Sequence, residues 1–126
     1  MTAKFKYPES YFTFPSHVTL EHLKDVEKQT ANIQTPAYVI DETVLEENLR
    51  ILKKVKDETG CKILLALKAF SLRASFPLIG KYLDGACASG VFEARLGRED
   101  FKKEVHTFSP AFSDKDIKSV IKYSDV

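Results

Sequence analysis

A single lysine follows the most hydrophobic stretch of this sequence. Five apolar residues, 63–67, run without interruption and lead directly to Lys68, after which the chain becomes polar. A lysine at the rim of an apolar pocket loses hydration, which disfavours its charged form and makes the amine a better nucleophile. Lys68 is therefore the first candidate for chemistry, and Schiff-base formation with an aldehyde is the reaction it suggests. The alternative is a lysine that simply extends from a strand end into solvent.

The segments around Lys68 alternate between strand and helix patterns. The predicted strands are 36–40, 62–67, 85–89 and 104–108, and the predicted helices are about 20–29, 43–59, 76–82, 90–96 and one that starts at Ser113. Such alternation indicates βαβ units with a mostly parallel sheet. The continuous apolar run before Lys68 is typical of a strand buried on both faces. Ligands of parallel α/β folds bind at the carboxyl ends of the strands, which is where Lys68 is predicted to lie.

Several residues are predicted to begin or end these helices. The candidate N-caps are Asp41 or Thr43, Ser75, Ser89 and Ser113. Thr43 and Glu46 have the spacing of a capping box, and Gly60 is expected to end that helix. Ser124 and Asp125 indicate a helix exit, and Val126 is predicted to be the first residue of another strand. This pattern predicts a sequence cut from a longer protein.

The composition limits the class of protein. The chain has 126 residues, 44% of them hydrophobic, which is enough for one domain with a real core. Nineteen basic and eighteen acidic residues are interspersed and leave a net charge of +1, so no nucleic-acid or membrane surface is indicated. The two cysteines and three histidines are scattered, which predicts no metal site and fits a reducing cytoplasm. No signal peptide or membrane span is recognisable.

Two regions are predicted. Residues 1–34 form an aromatic arm followed by a short helix, and residues 35–126 form the βα units. The arm either packs on the surface of its own domain or makes an oligomer contact.

Three sequence blocks resemble one enzyme family. Residues 35–71, with Asn48-Leu49 on the helix and Lys68-Ala69 at the strand end, resemble the opening of the fold-type III pyridoxal-phosphate enzymes, the alanine racemase and ornithine decarboxylase group. Together with residues 82–99 and 104–112, this block is most similar to the carboxynorspermidine decarboxylase branch of that group. The three blocks occur in the family's order and spacing, and the resemblance covers about residues 35–126.

The resemblance implies a fold, a cofactor and a reaction. The fold would be the N-terminal part of an alanine racemase-like (β/α)8 barrel, incomplete in this chain. Lys68 would hold pyridoxal 5'-phosphate covalently, and Ala66, Ser89, Glu93 and Ser109 would contact or flank the cofactor. The full-length parent, a cytoplasmic homodimer, would decarboxylate carboxynorspermidine or carboxyspermidine to norspermidine or spermidine and CO2.

Some expected features of that family are missing or displaced. An aspartate near the lysine in many relatives is matched by Ala86, with Asp84 two residues earlier, and His106 is not equated with the histidine that stacks on the cofactor. A full barrel takes roughly 250 residues. The phosphate-binding glycine loop and the dimer-interface residues are absent, so the chain is predicted to be a fragment with little or no activity alone. Two alternatives stay open: a non-catalytic protein of pyridoxal-phosphate homeostasis, and a cofactor-free α/β interaction module.

Overall fold

The computed structural model describes residues 19–126, so the predicted aromatic arm before residue 19 lies outside the described residues. The chain divides into two compact units after Val44. In the first unit, helix α1 (Leu20–Thr30) begins where the Thr19 hydroxyl accepts the amide of His22. This placement agrees with the helix predicted over 20–29.

Asp41 determines where the second helix, α2 (Glu42–Thr59), begins. Its carboxylate accepts the amides of Thr43 at 2.9 Å and Val44 at 3.1 Å, and these bonds lower the pKa of Asp41. Of the two predicted caps, Asp41 is therefore the one used. The predicted capping box was wrong, because Asp41 already satisfies the first amides and Glu46 instead accepts the hydroxyl of Tyr82.

The strand predicted at residues 36–40 is not formed. The segment is irregular, and the side chain of Tyr38 is completely exposed. Its β-branched and aromatic residues favour an extended backbone, but a strand also needs a hydrogen-bonded neighbour. Within residues 19–126 no backbone hydrogen bond reaches this segment, which explains why composition alone misled the prediction.

The second unit is built on a parallel sheet of three strands in the order β1, β2, β3. The strands are β1 (Leu64–Ala66), β2 (Gly85–Ala88) and β3 (Glu104–Thr107). The connecting helices are α3 (Phe76–Ile79), α4 (Val91–Leu96), which continues as a π-helical segment Gly97–Phe101, and α5 (Asp114–Tyr123). The alternation of strands and helices is thus confirmed, although each strand is shorter than its sequence pattern predicted.

Some of the predicted helix boundaries agree with the structure and others do not. Gly60 follows the last residue of α2 with φ of +71°, a conformation that glycine adopts without strain. Ser113 and Asp116 form a complete capping box at α5, as predicted. Ser75 occupies the N-cap position of α3 without a side-chain cap bond. Ser89 was predicted to cap α4, which was wrong: the N-cap is Gly90.

Strand register gives the sheet two chemically different faces. Leu65, Ala86 and one residue of β3, Val105, are register partners, and both Ala86 and Val105 are fully buried. Leu67 and Ile79 pack in the same core, where the rings of Phe76 and Phe101 meet edge to face at 5.2 Å. The opposite face carries a second set of partners, Ala66, Cys87 and His106. Because side chains alternate along a strand, these three point away from the core.

Asp84 fastens the amino ends of β1 and β2. Its carboxylate accepts the amide of Ile63 at 2.9 Å and receives the Lys56 ammonium at 2.6 Å. Lys56 also donates to the carbonyl of Tyr82 at 2.8 Å. The bond from Lys56 lowers the pKa of Asp84.

Asp125 repeats this arrangement beside β3. Its carboxylate accepts the amide of Val105 at 2.8 Å and pairs with the Arg98 guanidinium at 2.7 Å, while Arg98 Nε donates to the carbonyl of Tyr123. Arg98 lowers the pKa of Asp125. We call the sets Lys56, Tyr82, Asp84 and Arg98, Tyr123, Asp125 the two aspartate clusters.

The last two residues lie along β3. The carbonyl of Val105 accepts the amide of Asp125 at 2.7 Å. It also accepts the amide of Val126 at 3.3 Å, and the amide of Thr107 donates to the carbonyl of Val126 at 2.8 Å. These bonds have the alternation of a parallel ladder, although no fourth strand is assigned.

None of the helices in residues 19–126 combines the length and hydrophobicity that a membrane-spanning helix needs. The same part of the chain has no cluster of three or more histidine, cysteine or acidic side chains that could hold a metal ion.

Candidate cofactor site

A cavity of about 190 Å³ lies at the carboxyl ends of the three strands. Six of the residues in 19–126 line it: Ala66, Lys68, Cys87, Ser89, Phe108 and Pro110. They come in pairs from the ends of β1, β2 and β3, so the sheet itself brings them together. An amine, a thiol and a hydroxyl thus share one cavity with an apolar wall.

The turn after β1 places Lys68 in this cavity. The amides of Ala69 and Phe70 both donate to the carbonyl of Ala66, at 3.0 and 3.1 Å, and so reverse the chain. Leu67 is buried in the core and Phe70 packs against it, while Lys68 between them is exposed. Within residues 19–126 the Lys68 side chain has no hydrogen bond or ion pair. Its amine is therefore available to a ligand, unlike those of Lys56 and other paired lysines.

The predicted site residues on β2 and α4 have different surroundings. Ser89 lines the cavity and is exposed, whereas Glu93 is not among the lining residues. The Glu93 carboxylate accepts the backbone amide of Ser89 at 2.7 Å. It therefore orients the loop that presents Ser89, in the first turn of α4 where the helix dipole favours a negative charge. Direct contact of Glu93 with a cofactor stays a prediction.

The remaining predicted residues are Ala66 and Ser109. Ala66 lines the cavity on the same face as Cys87, and its small side chain leaves room beside Lys68. The Ser109 hydroxyl donates to the carbonyl of Ala111 at 3.1 Å, and the neighbours of Ser109, Phe108 and Pro110, line the cavity. Contact of either residue with a cofactor stays a prediction.

Three lining residues were not singled out from the sequence: Cys87, Phe108 and Pro110. Cys87 alternates with the buried Ala86 and Ala88, and this alternation was the available signal for its position. Phe108 and Pro110 are the first and third residues after β3, and Lys68 is the second residue after β1. Their proximity to Lys68 depends on strand register, which the sequence does not display.

A row of polar side chains lies on the same face of the sheet. Glu104 accepts the Lys62 ammonium at 2.5 Å and contacts His106 Nε2 at 2.8 Å, and the bond from Lys62 lowers the pKa of Glu104. His106 is the register partner of Cys87 but does not line the cavity. The structure thus places His106 beside the cavity with its orientation set by Glu104.

Among the described residues, no acidic side chain lines the cavity where an aspartate is expected near Lys68. Ala86 is fully buried, and Asp84 is bound to Lys56 and Ile63 at the amino end of β2. Asp84 therefore holds the amino ends of β1 and β2 together and does not orient Lys68.

Known proteins similar to this chain are decarboxylases. The chain is 41% identical over 92 residues to carboxynorspermidine/carboxyspermidine decarboxylase from Campylobacter jejuni and 40% identical over 93 residues to the protein of that name from Herminiimonas arsenicoxydans. It is 36% identical over 91 residues to carboxyaminopropylagmatine decarboxylase from Synechocystis sp.. These matches cover 72–74% of this chain and 24–26% of the relatives. No family model matches the sequence.

A solved structure agrees with these matches. The crystal structure of carboxynorspermidine decarboxylase from Campylobacter jejuni, complexed with norspermidine, matches with a TM-score of 0.71 at 41% identity. The match covers 73% of this chain and 25% of that one. The expected fold, an α/β arrangement forming part of an alanine racemase-like barrel, is thereby confirmed. The chain, which spans about a quarter of the length of its relatives, is a homologue of the carboxynorspermidine decarboxylases.

Proposed function

We propose that this chain is the lysine-bearing part of a pyridoxal-phosphate-dependent decarboxylase that acts on a carboxylated polyamine. One observation carries the proposal: Lys68, which has no partner among residues 19–126, lies in a cavity at the carboxyl ends of the strands. Homology to decarboxylases of this substrate class supports it.

The residues around the cavity fit pyridoxal phosphate chemically. The cofactor offers an aldehyde, a flat aromatic ring and polar substituents. Lys68 supplies the amine that an aldehyde requires, Ala66 leaves space beside it, and Ser89 offers a hydroxyl. Phe108 and Pro110 provide apolar surface. Of the predicted contacts, Ser109 and Glu93 would act by holding the loops that carry Phe108 and Ser89.

Each of these residues has a definable task in the proposed reaction. When bound, pyridoxal phosphate would withdraw electrons from the substrate carbon so that CO2 can leave. The Lys68 amine would hold the aldehyde group of the cofactor until a substrate amine replaced it, and Lys68 Nζ would then be free to carry a proton. Glu93 keeps the Ser89 amide in place, and Phe108 and Pro110 would shield a bound ligand from water on their side of the cavity.

The substrate class comes from the relatives. The solved relative is complexed with norspermidine, and its homologues are named for carboxylated polyamines. We propose carboxynorspermidine or carboxyspermidine as the substrate of the full-length protein, with norspermidine or spermidine and CO2 as products. We further propose that this protein is a cytoplasmic homodimer. The family resemblance supports the dimer, and the free thiols of Cys61 and Cys87 support a reducing compartment.

Borohydride trapping tests the covalent role of Lys68. Incubation with pyridoxal phosphate, reduction and peptide mass mapping should give one stoichiometric adduct at Lys68. Lys68→Ala and the charge-preserving Lys68→Arg should both lose it, because neither provides a primary amine. Lys118→Ala removes an exposed lysine from α5 and should leave the Lys68 adduct unchanged.

The outcomes separate the proposal from the two alternatives. Equal labelling of many lysines, or none, would support a cofactor-free interaction module. A selective adduct without release of CO2 from carboxynorspermidine by the full-length protein would support a homeostasis protein.

A further inference from the structure

The aromatic ring of Phe108 is, after Lys68, a second feature of the cavity that indicates a ligand. Phe108 is 77% exposed although it directly follows β3, whose Val105 is fully buried, and it lines the cavity that contains Lys68. A large aromatic side chain gains more from burial than almost any other residue. At this position only a ligand in the cavity, or protein that closes over it, can provide that burial.

The backbone around Phe108 is held in place. The amide of Phe108 donates to the carbonyl of Ala88 at 3.0 Å, which extends the pairing of β2 with β3 by one residue. On the other side, the Ser109 hydroxyl donates to the carbonyl of Ala111, and Pro110 restricts the backbone further. The ring therefore projects from an ordered support.

We propose that Phe108 is a binding residue for the cofactor, supplying the aromatic surface against which the pyridine ring packs. The inference rests on the proposed function, because Lys68 must first capture an aldehyde that carries a flat ring. An aromatic pair with offset or edge-to-face geometry is stabilised beyond the burial of its area. Residue 108 would thus select for the aromatic part of the ligand, whereas Lys68 selects for its aldehyde.

Exposure alone does not identify such a residue, and Phe92 provides the matched control. Phe92 is 90% exposed in the first turn of α4 but is not among the residues that line the cavity. Both rings are solvent-exposed, so alanine at either position should leave the fold intact. Only the loss of Phe108 should affect the ligand.

The test measures how the Lys68 adduct depends on pyridoxal phosphate concentration. Each variant of the 126-residue chain is titrated, reduced with borohydride and mapped by mass spectrometry. Phe108→Ala should raise the half-saturating concentration by about three- to tenfold. Phe108→Tyr, which retains the ring, and Phe92→Ala should both stay within about twofold of the native value.

A second aldehyde distinguishes ring recognition from a change in the lysine itself. Glyoxylate carries an aldehyde without an aromatic ring, so its capture by Lys68 should be the same in the native chain and Phe108→Ala. Unchanged pyridoxal-phosphate titration in Phe108→Ala, or an equal loss with glyoxylate, would overturn the role of Phe108 while leaving the proposed function standing. Absence of a selective adduct in the native chain would overturn both.

Discussion

The two ends of the parallel sheet differ in how their polar groups are used. At the amino ends, the aspartate clusters pair each carboxylate with a cation and with a backbone amide of a strand. At the carboxyl ends, Lys68 has no such partner within the described residues, and Phe108 leaves most of its ring exposed. Paired groups hold the strands together, whereas unpaired groups can still bind a ligand. The amino end therefore serves stability, and we propose that the carboxyl end serves chemistry, as is general for barrels built from βα units.

The largest expected effect on stability is at Gly85, the first residue of β2. A Cβ atom at this position would come within 2.2 Å of the Glu104 carbonyl oxygen, so the two strands would have to separate. We expect Gly85→Ala to lower the free energy of unfolding by about 3 kcal/mol in urea denaturation.

Gly90 at the carboxyl end is the control for this substitution. A Cβ there would meet nothing within 4 Å, and its φ of 179° is available to any residue. Gly90→Ala should change stability by about 0.5 kcal/mol or less. Equal losses at the two glycines would contradict the conclusion that the amino end of the sheet contributes more to stability.

The second-largest expected effect on stability is at Asp84. Asp84→Asn removes the charge that faces Lys56 and weakens the bond to the Ile63 amide, so we expect a loss of about 1–3 kcal/mol. Asp57→Asn is the control, because Asp57 forms an exposed pair with Lys53 on α2. Its cost should be below about 0.5 kcal/mol. If the two variants were equally stable, the first aspartate cluster would not secure the strands.

Acidification should reduce the stability that carboxylates contribute at the amino end of the sheet. The pKa values of Asp84, Asp125 and Glu104 are lowered by Lys56, Arg98 and Lys62 respectively. Between the lowered pKa of the folded state and the ordinary value of about 4, the unfolded chain binds more protons. The stability contributed by these groups is therefore complete above about pH 5 and is lost as the pH falls through the folded-state pKa values.

Thermal unfolding from pH 7 to pH 3 measures this dependence. A variant that combines Asp84→Asn with Asp125→Asn should be less stable at pH 7 and should lose less stability on acidification than the native chain. Parallel pH curves for the two proteins would show that these carboxylates are not responsible.

The smallest effect on stability is expected at Lys68. Its side chain is exposed and unpaired in the described structure, so Lys68→Ala should change the free energy of unfolding by about 0.5 kcal/mol or less. The same substitution should eliminate the pyridoxal-phosphate adduct. A loss of 2 kcal/mol or more would instead assign Lys68 a structural role and remove the contrast between the two ends.

Local patterns predicted much of this fold. The apolar run before Lys68 identified β1, and the spacing of Ser113 and Asp116 identified the start of α5, because each signal depends on neighbouring residues in the chain. The strand at 36–40 and the Ser89 cap were wrong for a different reason. Strand formation depends on a partner from elsewhere in the chain, and a cap depends on loop geometry that residue type alone does not determine.

The aspartate clusters had a sequence signal that can be recognised in hindsight. Tyr82-Leu83-Asp84 and Tyr123-Ser124-Asp125 share a Tyr-x-Asp pattern. The first lies just after α3, and the second begins at the last residue of α5. The cations that complete the clusters, Lys56 and Arg98, lie far from the aspartates in sequence. Their pairing could not be predicted because many other lysines and arginines were equally available.

The sequence by itself determined the βα alternation and the place of Lys68 at a strand end, because hydrophobicity and turn chemistry act over a few residues. The tertiary structure alone decided that Cys87 and Phe108 share a cavity with that lysine and with Ser89, which the family resemblance had already implied. It also decided that Asp84 faces Lys56 at the opposite end of the sheet. Both outcomes depend on the register between strands, which is set by packing among residues distant in the chain.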